Sequence, residues 1–273
     1  MKQKIGKYVA ETTFPEREKF TAPLVLVPGL WSGSWIWEEM AWYFCQRGWS
    51  SWAVDFPKKQ TESDTGNTSL LERLQTVTEV TTGFDASPIL IGFDAGGLFG
   101  LLAALDIRPR ALVWISPLFP YCWQPNLRPT PPLVRLSALY SLLRNRPHPP
   151  PSRSLSLQYL YHSQPEAVRT RIWSSLKPES GLLVRQLTRA KIDLPQVPLP
   201  CPLLIISGGD DRLVPAHAAQ DLVHSLRADH YTYKNEGHWL LNGPAAKVVV
   251  ADIHRWLIRG LGESLLIQDD ESY

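Results

Sequence analysis

The chain has 273 residues and a formal net charge of +2, with 20% charged residues whose two signs are mixed along the sequence. This length suits one α/β domain with an inserted segment, and the balanced charge predicts no nucleic-acid partner. Its three cysteines show no Cys-x-x-Cys spacing and no apolar run is long enough to cross a membrane, so we expect no metal site, no membrane partner and a cytoplasmic location.

Short apolar runs alternate with amphipathic stretches over the first part of the chain. The runs predict strands at 24–27, 51–54, 88–91 and 111–115, and the stretches predict helices at 35–47, 69–81 and 98–105. The pattern returns with strands at 202–207 and 230–234 and helices at 216–226 and 244–259. Such alternation is typical of a mostly parallel, doubly wound sheet with helices on both faces.

The character of the sequence changes between residues 117 and 200. Prolines cluster there and the strand pattern disappears. We interpret this segment as an inserted helical lid, so that the core of the domain comprises residues 1–116 and 201–273.

The run 92–97, Gly-Phe-Asp-Ala-Gly-Gly, lies between a predicted strand and a predicted helix. A sharp strand-to-helix turn of this kind is a nucleophile elbow, which exposes its central side chain at the edge of the sheet. That side chain is Asp94, where a serine would be expected. A serine hydroxyl favours attack on acyl carbons, whereas a carboxylate can displace a leaving group from saturated carbon and be released from the resulting ester.

Two other polar residues follow predicted strands, in the order Asp211 and then His238. Loops that follow the carboxyl ends of parallel strands gather at one edge of the sheet, so these residues can meet Asp94 there. The neighbouring Asp210 competes for the role of the acid, but the spacing from Asp211 to Val214 and Pro215 favours Asp211.

On these motifs the chain resembles the α/β-hydrolase fold superfamily. The matching segments are residues 26–31, 53–57, 92–97, 208–215 and 237–238, which together span most of the chain outside the lid. The resemblance implies that Asp94 is the nucleophile and that Asp211 orients His238. It also implies that the backbone amides of Leu30 and Ala95 form the oxyanion hole.

An aspartate at the elbow is shared by epoxide hydrolases and haloalkane dehalogenases. This resemblance implies a cofactor-independent hydrolase that acts on a small molecule through an alkyl-enzyme ester, with an epoxide as the first substrate class and a carbon–halogen bond as the second. Ala95 stands where many of these enzymes have a tryptophan that contacts halide, and Pro28 stands where a histidine is common.

An epoxide oxygen needs a hydrogen-bond donor as the ring opens, a task that the resembling enzymes give to lid tyrosines. The candidates for this task are Tyr121, Tyr140, Tyr159 and Tyr161. The candidates for the substrate pocket are Trp31, Tyr121, Tyr140 and Tyr159. Tyr159 and Tyr161 are two residues apart and point in different directions on a helix or a strand, so a pair from separate segments is favoured.

Other interpretations keep the fold but change the role of Asp94. It could be a capping carboxylate of the following helix, or a base or polar wall in a lyase or another non-hydrolytic enzyme. The protein could also be a non-catalytic ligand-binding module, in which His238 would not reach Asp94. The sequence carries no signal for an oligomeric state.

Overall fold

A computed structural model describes residues 2–5, 8–56, 67–118, 146–189, 192–194 and 198–267. Its main sheet has eight strands in the order β1-β2-β4-β3-β5-β6-β9-β10, and two further short strands, β7 and β8, pair separately. The strands are β1 (Lys2–Ile5), β2 (Tyr8–Thr13), β3 (Leu24–Val27), β4 (Ser51–Asp55), β5 (Ile89–Phe93), β6 (Ala111–Ile115), β7 (Pro147–His148), β8 (Glu179–Ser180), β9 (Leu203–Gly208) and β10 (Asp229–Tyr233).

The centre of the sheet is parallel and completely buried. Every residue of β3, β5, β6 and β9 is buried, and these strands pair in parallel as neighbours. Strands covered on both faces need apolar side chains on both, which explains their continuous runs of Leu, Ile and Val. The edge strand β10 is instead partly exposed.

Helices cover both faces of the sheet. The described α-helices are α1 (Glu38–Cys45), α2 (Leu70–Thr81), α3 (Ala95–Ile107), α4 (Arg153–Tyr159), α5 (Glu166–Ser175), α6 (Gly181–Arg189), α7 (Ala216–Leu226) and α8 (Pro244–Leu261), of which α4, α5 and α6 belong to the predicted lid. One apolar layer includes Phe44 of α1 and Val249 of α8, and the other includes Val77 of α2, Leu101 of α3 and Leu222 of α7. The doubly wound arrangement expected from the sequence is therefore present.

The antiparallel edge formed by β1 and β2 was not predicted from the sequence. β2 pairs antiparallel with both β1 and β4. Its buried positions are Ala10 and Thr12, which alternate with more exposed ones. A small residue and a threonine give a weak period-two signal, so apolar periodicity did not identify this strand.

The described part of the predicted lid comprises α4, α5, α6 and the β7–β8 pair, so the expectation that strands disappear there is wrong for four residues. Hydrogen bonds join this part to the core, from the Lys177 amide to the Trp31 carbonyl at 2.9 Å and from the Ser180 hydroxyl to the Thr68 carbonyl at 2.6 Å. Within the described residues, no helix is long and apolar enough to cross a membrane.

Candidate active site

Four of the predicted site residues lie in loops that follow the carboxyl ends of strands. Leu30 follows β3, Asp94 follows β5, Asp211 follows β9 and His238 follows β10. Parallel strands place these ends at one edge of the sheet, where ligands of open α/β sheets bind.

The backbone at Asp94 adopts the strained conformation of an elbow. Its φ is 55° and its ψ is −126°, which is rare for a residue with a side chain. Two hydrogen bonds hold this conformation: the Asp94 amide donates to the Ile115 carbonyl at 2.9 Å, and the Trp114 indole donates to the Asp94 carbonyl at 2.7 Å. The helix begins directly at Ala95, earlier than the sequence pattern indicated.

Gly29 leaves room for the Asp94 side chain. A Cβ atom at position 29 would lie 2.6 Å from both Cβ and Oδ2 of Asp94. Real Cβ atoms do not approach other atoms so closely, so only glycine allows the backbone after β3 to reach the carboxylate.

The Asp94 carboxylate is buried and is held by a backbone amide. Its Oδ2 accepts a hydrogen bond from the Leu30 amide at 2.9 Å, and the residue is 6% exposed. Asp94 occupies the N-cap position of α3 but its side chain forms no capping hydrogen bond. The carboxylate therefore points away from the helix that it precedes, and Ala95 is fully buried as the first helical residue.

His238 lies between the two carboxylates. Its Nδ1 is 2.8 Å from Asp211 Oδ2, and its Nε2 is 3.4 Å from Asp94 Oδ1. The second oxygen of Asp211 accepts hydrogen bonds from the amides of Leu213 at 2.8 Å and Val214 at 2.9 Å. The neighbouring Asp210 side chain is exposed, so the structure brings Asp211 rather than Asp210 to the histidine.

The charges around His238 favour its protonated form. Burial lowers the pKa of His238, but Asp211 and Asp94 outweigh this effect and raise the pKa to about 10. The imidazolium form of His238 is therefore favoured in this environment.

The aromatic residues predicted for the pocket and for proton donation differ in burial, and two of them lie outside the described residues. Trp31 has a φ of 58°, its ring lies 6.1 Å from the His148 ring, and its buried indole N–H donates to none of the described residues. Tyr159 is half-buried at the end of α4, whereas Tyr161 is fully buried and burial raises its pKa. Tyr121 and Tyr140 lie outside the described residues.

Sequence reasoning did not identify three residues that contact the histidine loop, residues 236–239. The Ser116 hydroxyl donates to the His238 carbonyl. Ser163 and Gln164 contact the residues on either side of His238. Ser116 follows the carboxyl end of β6, which is a signal that could have found it, but no local pattern marks the other two.

Among the residues that the structure describes, no group of three or more His, Cys, Asp or Glu side chains could hold a metal ion. The side chains gathered at the elbow are instead suited to nucleophilic attack and proton transfer.

Comparisons with known proteins agree on the fold. The sequence profile of the alpha/beta hydrolase family matches residues 24–252. A monoacylglycerol lipase from Paleococcus ferrophilus is 20% identical, with a TM-score of 0.67 over 92% of this chain and 99% of the lipase. A methylesterase from Arabidopsis is 16% identical, with a TM-score of 0.66 over 86% of this chain and 98% of the methylesterase.

A third similar structure is a putative non-heme bromoperoxidase from Mycobacterium tuberculosis, which is 13% identical with a TM-score of 0.70 over 94% of this chain and 97% of that one. A search of curated protein sequences gives no match. The structural similarities lie below 25% identity and establish the architecture alone. The predicted α/β-hydrolase fold is confirmed.

Proposed function

Because the chain belongs to the alpha/beta hydrolase family, we propose that it is a hydrolase in which Asp94 is the nucleophile, His238 the base and Asp211 the acid that orients it. The substrate class is an epoxide. The observation that carries the proposal is the direction of the Asp94 side chain, which faces His238 and the Leu30 amide and does not cap α3.

The nucleophile determines the kind of bond that is cleaved. Attack of a carboxylate on an ester would form an anhydride, whereas attack on a strained ring carbon forms an ester that water can hydrolyse. The lipase and the methylesterase therefore support the fold of this chain and not its substrate.

In the first step, Asp94 Oδ1 attacks an epoxide carbon and the carbon–oxygen bond of the ring breaks. The departing oxygen takes a proton and becomes a hydroxyl group. The His238 imidazolium supplies this proton. The product of this step is a hydroxyalkyl ester of Asp94 beside a neutral imidazole.

Ester formation prepares His238 for the second step. The esterified Asp94 has lost its negative charge, so the pKa of His238 falls and the neutral ring can act as a base. It takes a proton from water, and the resulting hydroxide attacks the ester carbonyl. The Leu30 amide is placed to stabilise the carbonyl oxygen, and we assign the Ala95 amide as the second donor.

Collapse of this intermediate breaks the ester bond and releases the diol. The diol oxygen takes the proton from the newly formed carboxyl group, so Asp94 is again a carboxylate and His238 an imidazolium. The net reaction consumes one epoxide and one water and requires no cofactor.

A single turnover of styrene oxide in heavy-oxygen water tests this route. Water attacks the ester carbonyl, so one heavy oxygen should remain in the Asp94 peptide and the first diol formed should be unlabelled. The Asp94→Asn variant is the control and should show neither turnover nor label. Heavy oxygen in the first diol with an unlabelled Asp94 would instead indicate direct water attack and a non-nucleophilic Asp94.

A carbon–halogen bond is the second candidate substrate. The Trp31 indole N–H favours it, because this N–H is buried, has no acceptor among the described residues, and could stabilise a departing halide. Bromide release from 1-bromobutane, measured for the wild type and Trp31→Phe, tests this candidate. If Trp31→Phe releases bromide at the wild-type rate, the Trp31 indole does not support a carbon–halogen substrate.

A further inference from the structure

The turn between α4 and α5 lies directly against the histidine loop. We call residues 161–164, Tyr-His-Ser-Gln, the lid turn. It belongs to the predicted lid, far in sequence from the histidine loop, yet it contacts the residues on both sides of His238.

Two hydrogen bonds from the lid turn hold the peptide groups that flank His238. The Ser163 hydroxyl accepts a hydrogen bond from the Gly237 amide at 3.1 Å. The Gln164 side-chain amide donates to the Trp239 carbonyl at 2.8 Å. Gln164 is 3% exposed, so water cannot readily replace it as the donor to that carbonyl.

Packing reinforces these hydrogen bonds. A Cβ atom at Gly237 would lie 2.6 Å from the His162 ring, and one at Gly243 would lie 2.3 Å from the Gln164 side-chain oxygen. The Tyr161 and Trp239 rings meet edge to face with centroids 6.5 Å apart. The lid turn is therefore fitted closely to the backbone before and after the histidine.

The geometry at the reacting end of His238 is sensitive to such support. Nε2 lies 3.4 Å from Asp94 Oδ1. In the proposed mechanism this nitrogen gives a proton to the epoxide oxygen and later takes one from water beside the same carboxylate, and such transfers need heavy atoms within about 2.6–3.2 Å of each other. A shift of the histidine loop by a few tenths of an ångström would therefore change the ability of the ring to exchange a proton.

We propose that Ser163 and Gln164 are positioning residues, through which the predicted lid sets the place of His238 relative to Asp94 and Asp211. This inference rests on the proposed function for its catalytic consequence. Its structural part concerns the His238–Asp211 hydrogen bond, which can be observed without turnover.

Proton NMR of the free protein provides that observation. A proton on Nδ1 held at 2.8 Å from a buried carboxylate should give a resolved downfield signal, which His238→Gln identifies by its loss. We expect Ser163→Ala and Gln164→Leu to shift this signal or to speed its exchange with water. Ser163→Thr retains the hydroxyl and should retain the signal.

Matched controls come from exposed residues of the same segment. Ser174→Ala removes a hydroxyl that donates to the Arg171 carbonyl within α5. Gln158→Leu makes the same chemical change as Gln164→Leu on an exposed side chain. Both controls should leave the signal unchanged. Gln164→Met keeps the length of the side chain and removes the donor without adding a charge, so it tests the hydrogen bond if Gln164→Leu does not fold.

Steady-state kinetics with styrene oxide gives the second readout. Misplacement of a catalytic group slows the chemical step but has little effect on substrate binding. We therefore expect kcat to fall about tenfold while KM stays nearly constant. A signal and a kcat equal to those of the wild type in Ser163→Ala and Gln164→Met would overturn the inference. If the heavy-oxygen experiment fails but the signal still shifts, the positioning role stands and the nucleophile assignment does not.

Discussion

His238 contacts a different carboxylate through each ring nitrogen, Asp211 Oδ2 at 2.8 Å and Asp94 Oδ1 at 3.4 Å. The shorter contact fixes the ring orientation, because Asp211 is itself held by two backbone amides. The longer one leaves the Asp94 oxygen available for another partner. This asymmetry suits an acid that only orients the histidine and a nucleophile that must leave it to attack carbon.

Removing the charge of Asp94 should lower the pKa of His238. Asp94 is one of two carboxylates that hold this pKa near 10, and Asp94→Asn removes its charge while preserving its shape. The pKa should remain above the ordinary value because Asp211 persists. NMR titration of the imidazole protons measures the shift, and an unchanged pKa would contradict the short-range coupling on which the second chemical step depends.

Asp211→Asn should lower kcat by about 10³-fold or more, because the histidine loses the carboxylate that fixes its tautomer and stabilises its charge. Asp210→Asn is the matched control: its side chain is exposed, so kcat should change less than about twofold. A larger loss in the Asp210 variant would reverse the assignment of the acid.

The free energy of unfolding should depend on pH through the protonation of His238. Its folded pKa, about 10, lies above the ordinary value of 6.5, so the folded state binds this proton more tightly. The resulting stabilisation is complete below about pH 6.5 and is lost as the pH rises towards 10. Denaturant midpoints across this range should fall more steeply for the wild type than for His238→Gln. Parallel curves for the two proteins would contradict the raised pKa.

The sequence allowed us to predict the strands and helices whose apolar pattern is visible within a few residues. Fully apolar strands such as β5 and amphipathic helices such as α2 carry their signals within a few residues, and α2 also begins with a capping box of Ser69 and Glu72. The elbow could be located because a strained turn needs small residues at fixed positions around Asp94. The positions of Asp211 and His238 near Asp94 could be predicted because each follows a predicted strand.

The contacts that could not be predicted join distant polar residues. Gln164 and the Trp239 carbonyl are 75 positions apart, and nothing in either local sequence marks the pair. The same holds for the buried ion pair of Arg73 and Glu179, 106 positions apart. Such pairs form only after the sheet and the helices fix their separation, so they follow from tertiary structure and not from periodicity.

Gly29→Ala should impair catalysis more than folding. The added methyl group would overlap the Asp94 carboxylate and displace it from the Leu30 amide, so we expect kcat to fall about 10²-fold. The cost in stability should be about 1–3 kcal/mol, as for other overpacked sites. Gly83→Ala is the control, since no atom lies within 4 Å of a Cβ there. Full activity in Gly29→Ala would contradict the close approach of this loop to the Asp94 carboxylate.

The Arg73–Glu179 ion pair should be a principal connection between α2 and the predicted lid. Both side chains are more than nine-tenths buried, and the Arg73 guanidinium also lies 4.1 Å from the centroid of the Phe56 ring. Arg73→Met would leave a buried carboxylate without its partner, so the free energy of unfolding should fall by about 3–5 kcal/mol. Denaturant titration measures this change.

The exposed pair of Arg171 and Glu39 is the control for this substitution. Its side chains are 49% and 39% exposed, so Arg171→Met should cost at most about 1 kcal/mol. Joint replacement of Arg73 and Glu179 by Met should recover much of the loss, because it removes both charges from the interior. Equal losses for the double variant and Arg73→Met would show that packing of the Arg73 stem, rather than the unpaired Glu179 charge, dominates the effect.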